Sequence, residues 1–307
     1  MGYRIRTIVL QAVWIVSLAT FFGTAQTESA NARRSTASCL QRAIPIAVLR
    51  NDNGLELQPA QLQVTAEGVS ATILSFARAN IAPRMVLLVD TSSSMARFSG
   101  AEWENEWTIA GLVLDAIPQQ SQIALGTFGG DVRLAAFDSK PAVEQALIAA
   151  KAVKPHGRTP LYAAVEQSIG LLGVPRFGDA MLIVSDGGDN ISVADRKALS
   201  NELLKRGIRC FAFLLRWPNE PLTQDERQGG VDLAELAKAT GGNLRVLEPR
   251  WPSGKEKSEF VAGIRTQTAI SYRLDIALGT ALSKPAKLKI TTTPRGIELG
   301  YPQRVEP

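Results

Sequence analysis

Between residues 84 and 270 the chain alternates short apolar runs with amphipathic segments of helix length, and this alternation limits the possible folds more than any other feature. The apolar runs are predicted strands at 85–89, 123–128, 132–137, 181–184, 210–215 and 244–247. The segments between them are predicted helices at 107–117, 142–153, 161–172, 194–205, 233–239 and 260–269. Parallel strands need crossovers that cover both faces of a sheet, so the pattern predicts a doubly wound α/β domain with a mostly parallel sheet.

One strand of this sheet is predicted to run antiparallel. The tight connection Phe128-Gly-Gly-Asp131 is too short for a crossover helix, so the run 132–137 should be an antiparallel edge strand.

The regions that flank the α/β segment are β-rich. Residues 43–80 and 271–305 contain alternating apolar and polar positions broken by turn signals. A lone flank of about three strands could hardly bury both of its faces. We therefore expect an N-terminal flank at 33–81, an α/β domain at 82–270 and a C-terminal flank at 271–307, with the two flanks pairing into one small β-rich domain.

The N-terminal residues resemble a secretory signal peptide. Arg4 and Arg6 precede an apolar stretch at 7–23, and small residues then offer cleavage after Ala25 or Ala32. An uncleaved membrane anchor is the alternative interpretation, although the stretch is short for a span. We expect residues 1–32 to be removed, leaving no stable span, and the folded part to be periplasmic or secreted.

Charge and cysteine content exclude little. The formal net charge of +5 falls to +4 without residues 1–32, and the basic residues are scattered, so nucleic-acid binding is not expected. The two cysteines, Cys39 and Cys210, would be allowed to pair in an oxidising compartment, but the sequence does not show that they approach each other.

Three segments place oxygen-bearing side chains at the predicted carboxyl edge of the sheet, where α/β sheets bind ligands. They are Asp90-x-Ser92-x-Ser94, Gly157-Arg-Thr159-Pro-Leu-Tyr162 and Val184-Ser-Asp186-Gly-Gly-Asp189-Asn190. Hydroxyl and carboxylate oxygens suit Mg²⁺, Mn²⁺ or Ca²⁺ rather than zinc.

At these residues the sequence resembles a von Willebrand factor type A domain with its metal-ion-dependent adhesion site. The match covers roughly residues 82–270, with the three motifs in the family's order. The flanks are similar to those of secreted bacterial von Willebrand A-related proteins of acidobacterial type, through Tyr272-Arg-Leu274 and Gly300-Tyr301 among other short motifs. Two positions depart from the family pattern: Arg158 replaces a common glycine and Ala163 a common acidic residue.

The resemblance implies a metal site formed by Asp90, Ser92, Ser94, Thr159 and Asp186, the last usually acting through water. It further implies that an Asp or Glu carboxylate of a protein partner completes the coordination of Mg²⁺, or of Mn²⁺ or Ca²⁺. The expected function is therefore metal-dependent protein binding. The alternative is a structural or assembly subunit of an envelope complex in which the metal only stabilises the loops.

Simpler roles compete for the same residues. Asp90 and its serines could cap a helix, as could Thr159 before Pro160, although one cap would suffice for each helix. An enzyme is not expected, because the single histidine, His156, has no nucleophile at a recognisable spacing. Only an Mg²⁺-dependent phosphohydrolase built on Asp90 is retained as a further class to test.

Overall fold

A six-stranded sheet, which belongs to an α/β domain, lies beside two smaller antiparallel sheets. The computed structural model describes residues 40–96, 101–216, 221–248, 253–279 and 282–306; the predicted signal peptide and Cys39 lie outside these ranges. The strands are β1 Leu40–Asn51, β2 Leu62–Ala66, β3 Val69–Ser70, β4 Thr72–Arg78, β5 Arg84–Asp90, β6 Gln122–Gly129, β7 Asp131–Leu134, β8 Ala180–Ser185, β9 Arg209–Leu215, β10 Leu244–Leu247, β11 Tyr272–Leu278, β12 Ala286–Thr292, β13 Ile297–Gly300 and β14 Arg304–Val305. The α-helices are α1 Ala101–Ala116, α2 Lys140–Lys151, α3 Leu161–Leu172, α4 Arg196–Arg206, α5 Gln224–Thr240 and α6 Gly254–Thr268.

The central sheet confirms the predicted doubly wound, mostly parallel architecture. Its strand order is β10-β9-β8-β5-β6-β7, and every neighbouring pair is parallel except β6 and β7. The short β7 strand is the predicted antiparallel edge. The two central strands, β5 and β8, are buried along their whole length, which explains why they appear in the sequence as continuous apolar runs.

Helices cover both faces of this sheet. Because successive strand residues point to opposite faces, Leu87 of β5 packs into a core with α1, α2 and α6, whereas Leu88 packs into a second core with α3, α4 and α5. Both leucines are fully buried, and burial of each stabilises the fold by about 2 kcal/mol. The alternation of strands and helices in the sequence therefore becomes a doubly wound domain.

The flanks pair with each other, as expected from their strand patterns. One sheet has the order β13-β1-β11-β4 and the other β14-β12-β2-β3, so each contains strands from both ends of the chain. Ile46 and Leu274 from the first sheet and Val64 and Leu288 from the second belong to one apolar core. The two sheets thus form a small β-sandwich that neither flank could build alone. None of the helices in the described ranges has the length and apolar composition needed to span a bilayer.

Candidate metal centre

The first predicted segment forms a tight turn at the end of β5. Asp90 is fully buried; its Oδ1 accepts a 2.9 Å hydrogen bond from the Ser92 amide, and its Oδ2 accepts a 2.6 Å bond from the Ser185 hydroxyl. A 3₁₀ turn at Ser93–Ala96 follows, and it brings the hydroxyl oxygens of Ser92 and Ser94 to 2.9 Å from each other. The two serines therefore lie on the same side of the turn, beside the aspartate.

Backbone hydrogen bonds fix the Thr159 loop against this turn. The Ser93 amide donates to the Gly157 carbonyl at 3.0 Å, and the His156 amide donates to the Thr91 carbonyl at 2.8 Å. Gly157 adopts φ +72°, and a Cβ there would lie 2.4 Å from the Cα of Gly130. The loop that carries Thr159 thus requires glycine for both its conformation and its close approach.

The third segment, at the end of β8, is bonded to the second. The Thr159 amide donates to Asn190 Oδ1 at 3.0 Å, and the Asn190 amide donates back to the Thr159 carbonyl at 3.2 Å. Within the segment, the Gly188 amide donates to Asp186 Oδ1 at 3.1 Å. The three predicted segments therefore form one connected cluster at the carboxyl edge of the sheet.

Thr159 does not cap helix α3, although the sequence pattern is typical of a cap. The helix begins at Leu161 with Pro160 at the N-cap position, and this N-cap residue makes no side-chain capping bond. The first helical amides bond across to the third segment instead: Tyr162 N–H donates to Asp189 Oδ2 at 2.7 Å, and Ala163 N–H donates to the Ser192 hydroxyl at 3.0 Å. Asp189 and Ser192 therefore cap the helix in place of Thr159.

The carboxylates of Asp90 and Asp186 give the centre a negative charge that suits a cation. Burial, reinforced by the nearby negative charge of Asp186, raises the pKa of Asp90 from 3.8 to about 7, against the opposing effect of hydrogen bonds from Ser185 and Ser92. The groups of Ser92 and Ser185 that donate hydrogen bonds to Asp90 in the described structure are neutral. A divalent cation would offset the repulsion between the two carboxylates.

The donor chemistry fits Mg²⁺ or a similar hard cation. In the described part of the chain no three His, Cys, Asp or Glu side chains group together in a way that could hold a metal, so carboxylates alone do not form a site. Two carboxylates with adjacent hydroxyls form the oxygen-rich donor set that Mg²⁺, Mn²⁺ and Ca²⁺ accept. Asp90, Ser92, Ser94, Thr159 and Asp186 could therefore hold such an ion.

Comparison with known proteins finds similarity at the level of the fold. No protein-family model and no curated protein matches the chain. Among solved structures, a von Willebrand factor type A protein from Catenulispora acidiphila aligns at 11% identity and TM-score 0.49, over 87% of this chain and 74% of that one. The hypothetical protein BatB from Bacteroides thetaiotaomicron aligns at 14% identity and TM-score 0.44, over 60% of this chain and 98% of BatB.

Proximal thread matrix protein 1 from the mussel byssus is also similar, at 14% identity and TM-score 0.47, over 62% of this chain. The alignment covers only 46% of that protein, so the present chain corresponds to less than half of its length. The interpretation of the centre therefore depends on its own geometry.

Sequence reasoning missed two supporting residues. Ser185 directly follows the predicted strand 181–184; in the structure it ends β8 and bonds to Asp90 on the neighbouring strand. Ser192 donates its hydroxyl to Asp189 Oδ2 at 2.6 Å, which helps to hold the carboxylate that caps α3. A hydroxyl at a strand's carboxyl end, directly before a predicted ligand, was the available signal for Ser185.

Proposed function

We propose that this chain is an exported protein-binding module that depends on a divalent metal. Asp90, Ser92, Ser94 and Thr159 would hold Mg²⁺, or Mn²⁺ or Ca²⁺, directly or through water, with Asp186 in support. A bound cation would supply a hard Lewis acid with a coordination position for an Asp or Glu carboxylate of the partner protein.

The environment of Asp90 is the observation that carries this proposal. A fully buried carboxylate with only neutral hydrogen-bond donors, close enough to Asp186 for its pKa to rise, is costly in a folded protein. Such an arrangement makes sense where a cation compensates the charge. The hydroxyls of Ser92 and Ser94, 2.9 Å apart beside it, supply further oxygen donors.

The rest of the cluster would position these donors. The Ser92 amide and the Ser185 hydroxyl orient the two oxygens of Asp90. The paired hydrogen bonds between Thr159 and Asn190 hold the Thr159 loop against the segment that carries Asp186. Rigid positioning of this kind reduces the ordering that a metal and a partner would otherwise have to impose.

The primary test is Mg²⁺ titration by calorimetry of the wild-type chain, Asp90→Ala and a control, Asp225→Ala, which removes an exposed carboxylate in the first turn of α5. We expect Asp90→Ala to lose Mg²⁺ binding and the control to retain it. Unchanged affinity in Asp90→Ala would contradict the proposal.

Chelation separates binding from a structural role of the metal. For a partner protein isolated by its binding to the chain, EDTA should abolish binding if the metal takes part in the contact. If EDTA only lowers the melting temperature, the chain is better described as a structural or assembly subunit. Hydrolysis of a generic phosphate ester with Mg²⁺ would instead indicate a phosphohydrolase.

The proposal that the protein is exported rests on residues 1–32 alone. Expression of the full chain in a bacterial host, followed by N-terminal sequencing of the exported protein, should give a new terminus at Gln26 or Arg33. Recovery of the intact Met1 terminus in the membrane fraction would indicate an uncleaved anchor instead.

A further inference from the structure

A groove of about 890 Å³ lies between helices α4 and α5 of the α/β domain and the β12 and β14 strands of the β-sandwich. It has the size of a ligand site, and both charged and apolar groups line it. The basic residues that line it are Arg196, Lys197, Lys238, Lys284, Lys287 and Arg304. They come from both layers of the molecule, so the groove exists only because the flanks pack beside the α/β domain.

The acidic residues of the groove only partly offset this charge. The three acidic residues are Glu67, Asp232 and Glu235. Asp232 forms an ion pair with Arg196. It also accepts hydrogen bonds from the Tyr162 hydroxyl at 3.2 Å and from Gln228 Nε2 at 2.8 Å. Glu67 accepts a 2.6 Å hydrogen bond from the Lys287 amide. The lining therefore keeps a formal surplus of three positive charges, six basic residues against three acidic ones.

Tyr162 links the groove to the candidate metal centre. It lines the groove and, through its amide, bonds to Asp189 of the third metal-centre segment. Thr159 lies three residues earlier in the chain, on the loop that precedes α3. Arg196, which also lines the groove, lies over the Tyr162 ring at 5.0 Å from its centroid.

We propose that the groove binds an acidic segment of the partner protein whose carboxylate reaches the metal. This proposal rests on the proposed function, because the groove would extend the partner's contact beyond the metal. Basic side chains on both walls attract an anionic chain and set its orientation. Leu199 and Leu236, which are buried, also line the groove, and an apolar lining suits the methylene groups of glutamate better than a phosphate polymer.

The test uses a fluorescein-labelled octaglutamate peptide, with anisotropy measured on the full chain in EDTA and in Mg²⁺. Lys238→Glu combined with Lys287→Glu reverses one exposed charge on each wall. The control, Lys255→Glu with Arg295→Glu, makes the same change in net charge at exposed positions outside the groove. We expect the groove variant to bind the peptide at least about tenfold more weakly and the control less than twofold.

Wild-type binding in EDTA should weaken strongly between roughly 0.1 M and 1 M NaCl, because salt screens exposed charges. No binding by the wild type, or equal weakening in both double variants, would overturn the proposal. Tighter binding of an eight-residue oligothymidylate or of dextran sulfate, lost in the groove variant, would also overturn it by assigning the groove to another polyanion.

Because EDTA removes the metal, the outcome of the measurement in EDTA is independent of the metal centre. The Mg²⁺ affinity of the groove variant should equal that of the wild type. A failure of the groove proposal would therefore leave Mg²⁺ binding and its loss in Asp90→Ala intact, and failure of the metal proposal would leave octaglutamate binding intact.

Discussion

The hydroxyl of Ser185 donates a 2.6 Å hydrogen bond to Oδ2 of Asp90 and so joins the carboxyl ends of two neighbouring parallel strands, β8 and β5. The same hydroxyl oxygen accepts a 2.8 Å bond from the Gly187 amide. One buried side chain thus links the first predicted ligand to the loop that carries Asp186. This link makes Ser185 a positioning residue for the centre.

Substitution of Ser185 by alanine should weaken Mg²⁺ binding by roughly tenfold, since loss of a group that orients a metal ligand typically costs 10- to 100-fold in affinity. Calorimetry with Mg²⁺ measures the change. Ser185→Thr keeps the hydroxyl and should retain most of the affinity. Equal loss in the alanine and threonine variants would indicate a packing defect rather than a lost hydrogen bond.

The stability of the metal-free protein should fall as the pH rises from about 4 to about 7. Burial and the charge of Asp186 raise the folded-state pKa of Asp90 to about 7, so in this window the folded state holds a proton that the unfolded state has released. Stability falls with pH wherever the folded state binds more protons. The cost should be on the order of a few kcal/mol by pH 8.

Denaturant unfolding in EDTA across this range, for the wild type and Asp90→Asn, measures the effect. The asparagine variant has no carboxyl group to titrate at this position and should show a flatter profile. Saturating Mg²⁺ should restore wild-type stability at pH 8. Identical profiles for the two metal-free proteins would show that Asp90 does not titrate in this window.

The fold could be predicted from the sequence because its main signals are local. Continuous apolar runs such as 85–89 identify buried strands, and the tight Gly129-Gly130 connection identifies the antiparallel edge. The first residues of the helices were harder to predict from the sequence. Helix α1 begins at Ala101 rather than near Trp107, because the residues before Trp107 are mostly polar and Trp103 is the one large apolar residue among them. Helix α5 begins at Gln224, well before the predicted 233, because its first half is polar and contains two glycines.

One of those glycines is explained only by the tertiary structure. A Cβ at Gly229 would lie 1.7 Å from the Gly187 carbonyl oxygen, so α5 needs glycine where it crosses the metal-centre loop. Prediction of the metal centre from the sequence is limited in the same way, by its dependence on tertiary contacts. Its ligand types and order follow from the motifs, but the contributions of Ser185 and Ser192 depend on contacts between strands and loops, which periodicity does not encode.

Cys210 should be unreactive in the native protein. It is fully buried in β9 and has no disulfide partner among the described residues, and burial raises the pKa of its thiol to about 12, so almost no thiolate forms near neutral pH. In a Cys39→Ser background, Ellman's reagent should label no thiol until denaturant is added, and one thiol afterwards. Rapid labelling of the folded chain would show that β9 opens to solvent.

Gly157→Ala should destabilise the protein and loosen the Thr159 loop. Both the positive φ of +72° and the 2.4 Å approach of a new Cβ to the Gly130 backbone oppose the substitution, at a cost of about 2–4 kcal/mol. Gly54→Ala is the matched control, because Gly54 has a similar φ of +62° with no atom within 4 Å, and it should cost only about 1 kcal/mol. Denaturant unfolding gives both values. Equal costs would show that the contact with Gly130 does not constrain the loop, whereas a larger cost at Gly157, with weaker Mg²⁺ binding, would tie the loop's close packing to the metal centre.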